Sequence, residues 1–147
     1  MSEELSCFSN VCEKRGISLC LNVPDEQVVV SADRHLLELM LDNLMSNACK
    51  YTNRGGKVEV SLTAGKSKAV IKIADTGIGI PEKEQKNIFT NVYRAENARA
   101  SQETGNGFGL LQVKRIVELL NGSIRFTSKE LVGQLLKSHS NVSMKSL

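Results

Sequence analysis

Aromatic residues make up only 4% of the 147-residue chain, and its 19 Lys and Arg are scattered along it. A surface that stacks bases on rings inside a basic groove is therefore not expected, so nucleic acid is not an expected partner. The chain has only two histidines, His35 and His139, and its four cysteines (Cys7, Cys12, Cys20, Cys49) form no CxxC pair. Neither a metal-thiolate site nor a disulfide framework is expected, and the cysteines read as free thiols. No apolar run approaches the roughly 20 residues of a membrane span, and "MSEELSCFSN" lacks the basic-then-apolar order of a signal peptide. A cytoplasmic location without direct membrane contact follows as an expectation. Repeats and low-complexity linkers are also missing. What is present, 41% hydrophobic and 24% charged residues with a net charge of +3, suits one globular domain over residues 1–147.

The rhythm of the sequence changes clearly along its length. "ISLCLNV" (17–23) alternates as a half-buried strand does until Pro24 and Asp25 break it, and a short "VVV" follows. Ser31 or Asp33 can cap a helix that runs through "RHLLELMLDNLMSNACKYT" and is ended by Asn53, Gly55 and Gly56. Two strands follow, "KVEVSLTA" and "KAVIKIAD", joined by a tight turn near Gly65 and Lys66. Pro81 suits the first turn of a short helix ending near Phe89. Residues 90–107 have the small and polar composition of a long loop. "FGLLQVKRIVELL" then reads as an amphipathic helix closed by Asn121 and Gly122, before the strand "SIRFTS". Helices accompanying a sheet built largely of hairpins predict a two-layer sandwich.

Three features carry chemistry. On the long helix, Leu36, Leu37, Met40, Leu41, Leu44, Met45 and Ala48 form one apolar stripe. Asn47 falls inside it, with Asn43 and Lys50 along its margin. A buried carboxamide without partners is costly, so Asn47 either bonds nearby backbone or lines a ligand cleft; three polar residues in register favour the cleft. In "AVIKIAD" the alternation puts Asp75 on the same face as Ala69, Ile71 and Ile73, where a carboxylate needs strong donors. The following "TGIGIP" is either an ordinary turn or a place where Gly77 and Gly79 let backbone approach a planar ligand. Finally, "GNGFGL" (105–110) enters a helix, and glycine-rich backbone at a helix N-terminus suits phosphate.

In this order, "DNLMSNACKYT", "DTGIGIP", "IFTNVYRAENARA" and "GNGFGL" resemble the N, G1, F and G2 boxes of the ATP-binding catalytic domain of bacterial sensor histidine kinases, with a likeness covering about residues 5–130. The resemblance implies an α+β two-layer sandwich of the Bergerat (GHKL) type, with a mixed, mostly antiparallel sheet and helices on one face. It implies ATP and Mg²⁺ as cofactors. Asp75 would accept from the adenine amino group, while Gly77, Gly79 and Ile80 would close on the purine and Tyr51 would pack near the nucleotide. Asn47 would hold Mg²⁺ beside Asn43 and Lys50, and an amide oxygen is a suitable hard ligand for it. Arg94 would reach the γ-phosphate. Residues 90–107 would form an ATP lid hinged on Gly105, Gly107 and Gly109, and Leu110 belongs to the same nucleotide-binding set. Catalysis would rest on Asn47, Lys50 and Arg94.

Hydrolytic relatives resembling gyrase or Hsp90 would call for a glutamate four residues before the metal-binding Asn, and Asn43 stands there instead. An amide cannot act as a general base, which points to phosphoryl transfer rather than hydrolysis. Neither His35 nor His139 is followed by the acidic residue that the family's phosphoacceptor has. The expected partners are therefore a histidine-containing dimerisation domain of the same parent protein, itself expected to be membrane-anchored, and a downstream response-regulator receiver domain. The chain alone is expected to be a monomer that does not phosphorylate itself. Two departures leave an alternative, a degenerate non-catalytic interaction module. Asn91 and Val92 replace the usual Arg and Phe of the F box, and Leu131 and Gln134 disturb the expected glycine-rich turn. The polar end "LLKSHSNVSMKSL" is not expected to form a central strand, and residues 138–147 are expected to fray or to be unusually placed.

Overall fold

A computed structural model describes residues 2–26, 28–90, 107–128 and 138–145. It opens with a helix that the sequence reading above does not include, α1 (Ser2–Lys14). Its end is nevertheless written in the sequence. Gly16 takes φ +67°, which lets the Ile17 N–H reach back to the Cys12 carbonyl at 2.8 Å and the Gly16 N–H to Glu13 at 2.9 Å. Those bonds satisfy carbonyls that the last helical turn leaves open. Phe8 and Cys12, one turn apart, turn the same side of α1 to the core.

The chain continues through β1 (Ser18–Asn22) into α2 (Arg34–Tyr51). Of the two capping candidates, Asp33 is the one used: its carboxylate accepts from the Leu36 N–H at 3.0 Å. β2 (Lys57–Ala64) and β3 (Lys68–Asp75) form the anticipated hairpin, with the Gly65 N–H bonded to the Lys68 carbonyl at 2.9 Å. The helix after Pro81 is shorter than expected. α3 covers only Glu82–Gln85, and residues 86–89 continue as turns. α4 (Gly109–Leu119) and β4 (Ser123–Thr127) follow, separated by Asn121 at φ +52°.

One five-stranded sheet runs in the order β1-β2-β3-β5-β4, where β5 is Ser138–Lys145. The β1–β2 pair is parallel and the other three pairs are antiparallel. The expectation for residues 138–147 is thus corrected: 138–145 form a central strand, in register with β3 from Asp75↔Ser138 to Lys68↔Lys145 and with β4 from Thr127↔His139 to Ser123↔Ser143. Polarity misleads here because the backbone ladder is indifferent to side-chain type. A strand with partners on both sides satisfies its N–H and C=O groups in both directions.

Val58, Val60, Ile71 and Ile73 on one face of the sheet join Met40, Leu41, Leu44, Met45 and Ala48 of α2 and Val113, Ile116 and Val117 of α4 in a single core. The alternate positions Lys57, Lys72, Ser123, Arg125 and Thr127 are exposed, so the helices cover one face and water the other. Cys12 and Cys49 meet in the core with sulfurs 2.9 Å apart, both as free thiols, and Cys20 is free as well. Burial and then the Cys12 thiol beside it push Cys49 up to about 12. Met45 has no exposed surface. Met45→Ala is expected to lower the unfolding free energy by about 2–5 kcal/mol, read as a drop in the urea midpoint at unchanged slope.

Candidate functional site

The stripe of α2 fixes where its polar residues go. With Met40, Leu44 and Ala48 buried against the sheet, Asn43, Asn47 and Lys50 take the half-buried margin. The margin faces the start of α4. A Cβ placed on Gly109 would lie 3.0 Å from Oδ1 of Asn43 and 3.7 Å from Nδ2 of Asn47, so the absence of a side chain there lets the helix end sit against both carboxamides. Asn43 donates to the Leu39 carbonyl at 2.8 Å and to Oε1 of Gln112 at 3.1 Å. Asn47 makes no side-chain hydrogen bond among the described residues and is only half-buried, so its carboxamide is not spent on nearby backbone. Among the described residues no side chain caps the N-terminus of α4, where Gly107 holds φ +75°. Its first N–H groups therefore remain available beside two carboxamides, a setting that suits an anion with its counter-cation.

Asp75 ends β3 on the inward face, as the alternation predicts, opposite Val58 of β2. Its Oδ1 accepts the Gly77 N–H at 2.9 Å. Burial pushes the carboxyl up to about 6, and the Gly77 bond opposes this only partly. The loop that follows is pinned on three sides. Thr76 is bonded twice to the Lys57 backbone, its N–H donating to the Lys57 carbonyl at 3.0 Å and its side-chain hydroxyl accepting from the Lys57 N–H at 2.8 Å. The Ile78 N–H donates to the Tyr51 carbonyl at 3.0 Å, tying the loop to the end of α2. The Ile80 N–H donates to Oγ of Ser128 at 2.9 Å, and Gln85 bridges the Ile80 and Ser128 carbonyls. Gly77 must be glycine for this packing, since a Cβ there would lie 2.4 Å from the Tyr51 carbonyl oxygen.

The structure thus brings Asn43, Asn47 and Gly109 together, and separately joins Tyr51, Asp75, Gly77 and Ile80 around the loop after β3. Tyr51 and Lys50 close α2 between the two groups, and the Lys50 carbonyl accepts from Arg15 at 3.2 Å. Gly79 lies in that loop with φ +70°, while Leu110 packs against the core at the α4 end. Arg94, Gly105 and residues 91–106 of the expected lid lie outside the described residues. Sequence reasoning missed Ser128, Gln85 and Gln112. Each acts through a bond to a distant element, and nothing in its local pattern signals that.

The sequence profile of the family described as histidine kinase-, DNA gyrase B-, and HSP90-like ATPase matches residues 32–143, a span that contains the residues just described with the exception of Arg15. The chain belongs to this ATPase family. Among its similar relatives, the sensor histidine kinase Hik2 of Synechocystis is 39% identical over 124 residues, covering 80% of this chain and 28% of that protein. The sensor protein kinase PmrB of Pseudomonas aeruginosa is 43% identical over 104 residues, covering 71% and 21%. The chain therefore spans less than a third of the length of these two relatives. The solved structure of the mycobacterial sensor histidine kinase MprB superposes with a TM-score of 0.82 at 27% identity, covering 99% of this chain and 95% of that one. Like these ATPase relatives, the chain has an α+β fold with a mixed sheet.

Two outcomes follow from the site's geometry. Gly77→Ala should cost about 1–3 kcal/mol in chemical unfolding, because either the Tyr51 carbonyl or the Asp75 bond must give way. Asp75 has a folded pKa near 6 against an ordinary 3.8, so the folded state keeps a proton that the unfolded chain has already lost between those values. Stability without ligand should fall as pH rises through that window, by up to about 3 kcal/mol, and level off above it. Unfolding titrations from pH 4 to 8 should show this slope in the native protein and lose it in Asp75→Asn.

Proposed function

We propose that this chain is the ATP-binding catalytic domain of a sensor histidine kinase, which delivers the γ-phosphoryl group of ATP to a histidine on a separate dimerisation domain for relay to a response regulator. The observation that carries the choice of transfer over hydrolysis is Asn43. It occupies the place where a hydrolytic member would need a carboxylate, and its amide is occupied by Leu39 and Gln112. It can neither take a proton from water nor reorient freely to hold one.

Asp75 accepts the adenine amino group, and its burial is what makes that bond worth forming. The ring's donor replaces water that the carboxylate has lost. Gly77 and Gly79 keep side chains off the purine, with Ile80 and Tyr51 against it. Asn47, with Asn43 and Lys50, holds the phosphates and Mg²⁺, and the uncapped start of α4 at Gly107, Gly109 and Leu110 receives the phosphate charge. Arg94 and Gly105 extend the set through the lid, with Arg94 directed at the γ-phosphate. When bound, Mg²⁺ supplies charge neutralisation between the phosphates. What the residues themselves contribute is position: the base at one end, the phosphates at the other, and on α2 an amide, Asn43, in place of a group able to activate water. No helix among the described residues is long and apolar enough to cross a membrane.

Titration with a non-hydrolysable ATP analogue in Mg²⁺ tests the reading. Binding is expected in the native chain and at least about a tenfold loss in Asp75→Asn, from one charge-assisted bond. Absence of binding even at millimolar analogue would favour an interaction module instead. Affinity should also fall as pH drops through about 6 and Asp75 takes up its proton. With radiolabelled ATP, the chain should label an added histidine-bearing dimerisation domain and leave its own histidines unlabelled.

A further inference from the structure

Asn43 stands one turn before Asn47, and its carboxamide is held at both hydrogens. One donates to the Leu39 carbonyl at 2.8 Å and the other to Oε1 of Gln112 at 3.1 Å. A backbone carbonyl can only accept, so the NH₂ end must face Leu39, and its second hydrogen is then the one that meets Gln112. With both donors occupied, Oδ1 is left as an acceptor, and it is the atom 3.0 Å from the place a Gly109 Cβ would take. Gln112 comes from a different helix, lies on its exposed side and contributes nothing to the core. Its side chain joins α4 to the margin of α2 at this amide.

We infer that Gln112 is a positioning residue, which locks the Asn43 carboxamide so that its oxygen, and not its NH₂, is presented to the hydrated divalent cation on the nucleotide phosphates. The inference rests on the ATP-binding reading above. The physical point is the sign of the dipole. An amide free to flip would spend part of its time turning NH₂ toward a cation, whereas an amide with both hydrogens engaged cannot. Gln112 therefore acts on the part of the affinity that depends on metal, and much less on the part supplied by the base.

The test compares two substitutions by calorimetric titration of a non-hydrolysable ATP analogue, in Mg²⁺ and in EDTA. Gln112→Met keeps the length of the side chain and removes its oxygen; Gln112→Glu keeps an oxygen acceptor. Gln112→Met should weaken binding about 3- to 10-fold in Mg²⁺, the loss of one hydrogen bond, and less than about twofold in EDTA. Gln112→Glu should keep the ratio of the two affinities within about twofold of the native value. Equal losses in Mg²⁺ and EDTA, no loss at all, or a Gln112→Glu ratio as poor as that of Gln112→Met would each overturn the inference. A second readout needs no nucleotide: in isotope-labelled protein, hydrogen exchange at the Asn43 NH₂ should quicken in Gln112→Met and not in Gln112→Glu. Unchanged exchange in Gln112→Met would also defeat it. Failure of the native chain to bind the analogue in either buffer would count against the ATP reading itself, and the exchange experiment separates the two failures.

Discussion

The burial of one face of α2 against β2 and β3 is the constraint from which the rest follows. Met40, Leu41, Leu44, Met45 and Ala48 leave the helix one rotation about its axis that removes them all from water. That rotation also settles where Asn43, Asn47 and Lys50 point, because helical spacing leaves them no independent choice. The helix's share of the core and the carboxamide part of the candidate site are thus read from the same eighteen residues. A substitution that rotates α2 would damage both together. α4 completes the arrangement because Gly109 lets its end come close enough for Asn43 and Gln112 to meet.

At the end of β3 the structure accepts a local cost. An aspartate on the buried face of β3, with a single backbone donor among the described residues, is held well above its ordinary pKa. Around it the loop is tied by Thr76 to Lys57, by Ile78 to Tyr51 and by Ile80 to Ser128. The tethers hold the carboxylate in an unfavourable environment when no ligand is present. A local conflict embedded in an otherwise consistent structure is what a binding site looks like before its ligand arrives.

The two amphipathic helices and the β2–β3 hairpin were legible because each depends on periodicity or turn residues within a few positions. Asp75 was legible for the same reason, since alternation alone puts it inside. The glycines at 77 and 109 could be recognised as places of close approach, but not what approaches them: the Tyr51 carbonyl and the two carboxamides come from α2. Gln112 and Ser128 were illegible because their partners lie on other elements. α1 went unread although Gly16 marks its end, and β5 was misread because its polar residues suggest solvent while its register puts it between two strands. Side-chain pattern reports burial; it does not report which backbone finds a partner.

The place of β5 bears on how the molecule reaches its folded state. Among the described residues β4 joins the sheet through β5 alone, and β5 lies beside β3, a strand far earlier in the chain. The hairpin and α2 can assemble from near neighbours, but the sheet cannot close until a late segment has returned across a long loop. Closing such a loop is entropically slow compared with forming local contacts. The two sides of Asp75 differ accordingly: its pairing with Val58 belongs to the local β2–β3 hairpin, whereas its pairing with Ser138 depends on a segment far along the chain, so the end of β3 is where short-range and long-range parts of the fold meet.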